Sequence, residues 1–93
     1  MIRLNAFARL EDGTRRGEVI AAATELVQKS RQEEGCIAYD FFASETNAQN
    51  FMFCETWADQ TVLDAHSASE HFVRLVGIIQ SICGPLKLER FDF

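Results

Sequence analysis

In the run NFMFCETW, Phe51, Phe53, Glu55 and Trp57 lie two apart. Only an extended strand projects residues at that spacing from one face. Directly after it, Asp59 is placed to cap a helix opening at Gln60, which sets Val62, Leu63 and His66 on one side of that helix. A carboxylate, an indole and an imidazole therefore leave one corner of a sheet. The rest of the chain has to be arranged around that corner.

Ile2 to Leu10 alternates, with Ile2, Leu4, Ala6, Ala8 and Leu10 on one face and Arg3, Asn5, Phe7 and Arg9 on the other. This is a strand whose small apolar side suits a helix layer. After the turn Glu11–Thr14, the span Arg15 to Glu33 repeats Val19, Ala22, Ala23, Leu26, Val27 and Ser30 at helical spacing, and Gly35 ends it. Cys36 to Ser44 is a second strand, with Tyr39 on one face and Phe42 on the other, and a polar connection leads from it into Asn50–Trp57. Ser69 can cap a second helical segment with Phe72, Leu75, Val76, Ile79 and Ile82 as its stripe. Gly84-Pro85 stops it before a last strand from Leu86 to Phe93.

The order β-α-β-β-α-β implies an α+β, ferredoxin-like domain over residues 1–93: a four-stranded antiparallel sheet with the helices on one face. The other face is expected to carry several of Phe7, Phe51, Phe53 and Trp57, joined by Phe91 or Phe93. An uncovered aromatic face is a poor surface for a monomer. A two-fold homodimer with the sheets face to face, a dimeric α+β barrel with a pocket between sheet and helices, is the economical solution.

With a net charge of −5, nucleic acid and anionic membranes are disfavoured as partners. Cys36, Cys54 and Cys83 are odd in number and form no CxxC pair, which reads as buried, reduced thiols of a cytoplasmic protein. The N-terminus, with Arg3 and Arg9 and no long apolar run, does not read as a signal peptide or an anchor. His66 and His71, five apart across a helix break and without a convergent Cys or carboxylate set, are not a metal-ligand pattern, so no metal is expected.

Glu34-Gly35-Cys36 followed by Tyr39, then F-x-F-x-E-x-W at Phe51 to Trp57, L-x-x-H at Leu63 to His66 and S-x-H-F at Ser69 to Phe72, resembles the antibiotic-biosynthesis monooxygenase (ABM) domain family. The resemblance spans nearly the whole chain and implies the ferredoxin-like fold and the dimer. It leaves the reaction open, because the fold hosts several chemistries. The family includes cofactor-free monooxygenases of quinols and anthrones, haem-degrading enzymes and an isomerase of a phosphorylated autoinducer-2. The isomerase is similar to this chain in the pattern around His66 and His71 and in the Gly84-Pro85 turn leading to Lys87, Arg90 and Phe91. Haem-degrading members share an Asn at the place of Asn5, but here their helical Trp is replaced by His66 and Phe72 to Ile79 holds no His. No haem or other cofactor is expected.

Candidate catalytic residues are His66, His71, Asn5 and Glu55, and candidate substrate-binding residues are Trp57, Phe7, Phe53, Phe51, Tyr39 and Arg3. His66 can serve as a general base near neutral pH, or merely as a surface or capping histidine; His71 can serve as a second base or satisfy the first turn of its helix. Glu55 among aromatics is either paired, with Arg3, Arg9 or His66, or has a raised pKa. Asn5 and Arg3 could hold an oxyanion or peroxide, and the aromatics are either core or the wall around a flat substrate. Three functions follow: a cofactor-independent monooxygenase of a small aromatic quinol or anthrone, using O2; an isomerase of a small phosphorylated carbohydrate-like ligand, with Arg3, Arg9, Lys87 and Arg90 as its phosphate site; or a non-catalytic dimeric ligand-binding or stress protein.

Overall fold

Small side chains on the first strand decide how the sheet meets its helices. In the computed structural model, which describes residues 1–93, β1 (Ile2–Arg9) pairs antiparallel with β3 (Asn50–Trp57), so that Ala6 lies opposite Phe53 and Ala8 opposite Phe51. The alanines leave room for the large rings beside them, and all four side chains are buried. β2 (Cys36–Ala43) flanks β3, and β4 (Lys87–Asp92) flanks β1, giving the strand order β2-β3-β1-β4. Three helices cover the Ala–Phe face: α1 (Arg16–Ser30), preceded by a single 3-10 turn at Gly13–Arg15, then α2 (Gln60–Ala68) and α3 (Glu70–Cys83). The antiparallel ferredoxin-like α+β fold is as the element order implies. No helix is long and apolar enough to cross a membrane.

The register corrects the expected content of the open sheet face. Phe51, Phe53 and Trp57 are buried under the helices, as the packing against Ala6, Ala8 and Ile2 requires. The open face does carry the expected Phe7 from β1 and Phe91 from β4, joined by Phe42 from β2, each more than a third exposed. Tyr39 of β2 turns inward, opposite Glu55, so Tyr39 and not Phe42 belongs to the core. The three cysteines are free and half-buried rather than buried.

α1 ends at Ser30, three residues before the end that the periodicity suggests. The chain then tightens through Gln32 N–H to Lys29 O and Glu33 N–H to Ser30 O, bonds of the shorter i→i−3 type. Gly35 closes the turn at φ +79°, a conformation that costs little only for glycine. A Cβ there would also lie 2.6 Å from Val62 Cγ1. The turn therefore rests directly on α2, and Ala58 N–H donates to Gly35 O at 2.9 Å, tying it to the end of β3. That contact brings Glu33 beside α2.

Candidate functional site

α2 and α3 are fixed by the caps visible in the sequence. Asp59 Oδ1 accepts from Val62 N–H at 3.0 Å, and Ser69 Oγ accepts from Phe72 N–H at 3.2 Å. Between these caps His66 points inward and is fully buried. Its Nδ1 lies 2.6 Å from Glu33 Oε2, and His71 Nε2 lies 3.1 Å from the same oxygen. A carboxylate can only accept, so both rings donate to it. For neutral His66 this fixes the tautomer, with the proton on Nδ1 and a lone pair on Nε2. That Nε2 is buried and has no hydrogen-bond partner.

His66 borders a cavity of about 150 Å³ between sheet and helices, which Leu4, Tyr39, Phe53, Glu55 and Phe72 also line. Ten of its fourteen lining residues are hydrophobic, and none is Arg or Lys. Burial pushes the His66 pKa below its ordinary value, and the Glu33 carboxylate opposes that shift without reversing it. The Trp57 ring packs on His66 with centroids 4.4 Å apart, while its Nε1–H donates to Glu55 Oε1 at 2.9 Å. Burial also acts on Glu55, but with the opposite sign for an acid, pushing it up to about 7 against the hydrogen bonds from Trp57 and Tyr39. Tyr39 is held well above the ordinary phenol range, mainly by its own burial.

The structure thus gathers His66, Glu55, Tyr39, Phe53 and Trp57 in one place, with His71 on the outer side of Glu33. It separates them from the other expected members. Arg3, Asn5 and Phe7 lie on the opposite face of β1, because the period of two that turns Leu4 and Ala6 toward the helices turns these away. There Arg3 donates to Cys54 Sγ and Asn5 Nδ2 donates to Glu89 Oε1 at 3.2 Å. Phe51 lies in a second core cluster with Ala8, Leu10 and Val19, and with Phe7 it borders a different, larger hollow of about 500 Å³. Glu55 pairs with none of Arg3, Arg9 or His66; the hydrogen bond it accepts comes from Trp57 Nε1–H.

Glu33 was missed by the sequence reading, and it supplies the convergent carboxylate that the two histidines lack on their own elements. One signal was available. A helix C-terminus favours cations, so an acidic residue just past α1 is out of place unless another element holds it. One carboxylate oxygen and two imidazole nitrogens come within 4.8 Å of one another here, a donor set of the kind that could take a transition-metal ion. The observed separations at Glu33 are hydrogen-bond distances.

The family model for "Antibiotic biosynthesis monooxygenase" matches residues 1–77. The chain belongs to that family. A crystal structure from Bacteroides thetaiotaomicron, described as a conserved protein of unknown function and possible oxidoreductase, is 51% identical. It superposes with a TM-score of 0.93 over 99% of this chain and 96% of that one. The protein named "Putative monooxygenase YcnE" of Bacillus subtilis is 35% identical over 77% of this chain and 75% of its own length. An uncharacterized protein of Synechocystis is 37% identical over 63% of this chain, which spans only 40% of that relative. Family membership supports a monooxygenase-type function.

The Glu55 shift makes stability depend on pH. A carboxyl raised from 4.5 to about 7 binds its proton more tightly in the folded state, so between those values the folded chain holds more protons than the unfolded one. Stability from this group is therefore intact below about pH 4.5 and declines as pH rises through 7, by on the order of 3 kcal/mol. Glu55→Gln is expected to flatten that decline. Urea unfolding of wild type and variant across this range checks it; parallel curves would mean that Glu55 is not desolvated.

Proposed function

We propose that the protein is a cofactor-independent monooxygenase that oxidises a small aromatic quinol with O2, and that His66 is its general base. The observation that carries the proposal is the buried, unpartnered Nε2 of a histidine whose Nδ1 is tied to Glu33, at the wall of an apolar cavity. A neutral imidazole so oriented can take a phenolic proton, and the Glu33 carboxylate stabilises the imidazolium that forms. A phenolate in an apolar pocket is electron-rich enough to reduce O2 directly, so the reaction needs neither flavin nor metal. A cavity of about 150 Å³ is the size that accepts a benzene ring. That favours a single-ring quinol over a three-ring anthrone.

The isomerase alternative requires a cationic phosphate site next to the histidines. Arg3, Arg9 and Lys87 instead sit on the open sheet face. Arg90 is engaged by Asp92 and by Gln60 Oε1 at 2.7 Å. With no cation lining the cavity, a neutral substrate is the better match.

The enzyme acts as a homodimer in this proposal, with Phe7, Phe42 and Phe91 of the two sheets covering one another. Sedimentation equilibrium is expected to return twice the chain mass, and Phe42→Glu to shift it toward the monomer. A monomeric wild type would rule the arrangement out.

For the base, His66→Ala is expected to lower kcat of quinol-dependent oxygen uptake by about 10²-fold or more while KM changes little. The base must be neutral to act and its pKa is depressed, so the acid limb of the wild-type rate profile should fall below pH 6.5. An unchanged rate in the variant would remove His66 from the chemistry.

A further inference from the structure

The cavity holds a second proton-carrying group for which the base alone gives no use. Glu55 extends from β3 into the same cavity as His66, is 6% exposed and makes no hydrogen bond or ion pair with Arg, Lys or His. The ionisable groups coupled to it are Tyr39 and Cys36 from β2 and Glu33 from the turn after α1. The cavity residues from β1, α1, α3 and β4, and Leu86 just before β4, carry no charge. A buried carboxyl without a cation is a group kept as the neutral acid near neutral pH. Trp57 couples it spatially to the base, since one face of the indole packs on His66 while its N–H binds Glu55.

We propose that Glu55 is the second proton-transfer group of the reaction, entering as the carboxylic acid that protonates the peroxide formed on the substrate and then acting, as carboxylate, on the ring C–H. The proposal rests on the quinol monooxygenase reading above. His66 Nε2 takes one phenolic proton, and the phenolate passes one electron to O2. The two radicals combine, forming a C–O bond at the ring carbon beside the phenolic oxygen. The peroxide anion takes the proton of Glu55. The Glu55 carboxylate next removes the hydrogen on that same carbon; the C–H electron pair becomes the new C=O bond, the O–O bond breaks and hydroxide leaves. Hydroxide takes the proton held on His66 and departs as water. The substrate has lost two hydrogens and gained one oxygen, O2 has become one carbonyl oxygen and one water, and both side chains are back in their starting forms. The pair is what makes the cycle close, because His66 is already protonated when the ring proton has to leave.

The experiment is oxygen uptake with a simple hydroquinone by wild type, His66→Ala and Glu55→Gln across pH, with superoxide and hydrogen peroxide measured alongside. Glu55→Gln retains an oxygen for the Trp57 N–H. It is expected to lose about 10²-fold in kcat with KM within about twofold. It should also lose the wild-type decline in rate above pH 7 and release consumed oxygen as superoxide or peroxide in place of product. A Glu55→Gln enzyme with the wild-type rate and alkaline limb overturns the proposal while leaving His66 as base. So does a slow variant that keeps the alkaline limb and leaks no reduced oxygen, since that is a positioning role. If the wild type takes up no oxygen, the quinol reading itself fails and this proposal with it. An infrared difference spectrum of the wild type between about pH 5 and pH 9 needs no variant to fold. A protonated buried carboxyl band that disappears on raising the pH is expected; its absence overturns the proposal.

Discussion

The hydrogen bond from His66 Nδ1 to Glu33 is the contact on which the site depends. Its two ends come from elements far apart in the chain, and each is held for a separate local reason. Asp59 and Ser69 cap the helices around His66, so the ring enters the core at a fixed place. Gly35, at positive φ, lets the turn after α1 come into contact with Val62, which no residue with a Cβ could do without displacing α2. The carboxylate so delivered sits at the negative end of α1, where the helix itself opposes it. Two imidazole donors on one of its oxygens compensate.

Burial then gives the two cavity groups opposite characters from one cause. Removing water penalises whichever form is charged, so His66 is driven toward the neutral base and Glu55 toward the neutral acid. The two groups are separated by desolvation itself, without a cationic side chain in the cavity walls. The absence of Arg and Lys from the walls has a second effect: a substrate arriving as an anion would gain nothing to offset its desolvation. The cavity walls thus favour a neutral occupant over an anionic one.

Much of this could be read from the chain. The period of two in NFMFCETW, the helical stripes, and the caps at Asp59, Ser69 and Gly84 gave every element to within a few residues. They also grouped Glu55, Trp57 and His66 correctly. Alternation says which residues share a face, however, and not which face meets the helices. Phe51, Phe53 and Trp57 were expected in the open, and the pairing of Ala6 and Ala8 with Phe53 and Phe51 puts them inside. The same period carries Arg3, Asn5 and Phe7 away from His66, a consequence that follows only once the buried face of β1 is fixed. Glu33 lay beyond reach for another reason. Helical periodicity ran straight through it, and its partner is thirty-three residues away, so neither local pattern nor spacing connects the two. Family motifs identified the corner but not its electrostatics, because desolvation belongs to the packed molecule.

The most direct test of the account is the protonation and tautomeric state of His66, followed by the nitrogen chemical shifts of 15N-labelled imidazoles as a function of pH. At pH 7 the ring should be neutral with its proton on Nδ1, give a hydrogen-bonded Nδ1 signal that is altered in Glu33→Gln, and titrate below the ordinary histidine range. A ring protonated on Nε2, or an imidazolium at pH 7, would contradict it, since neither leaves a free lone pair on Nε2.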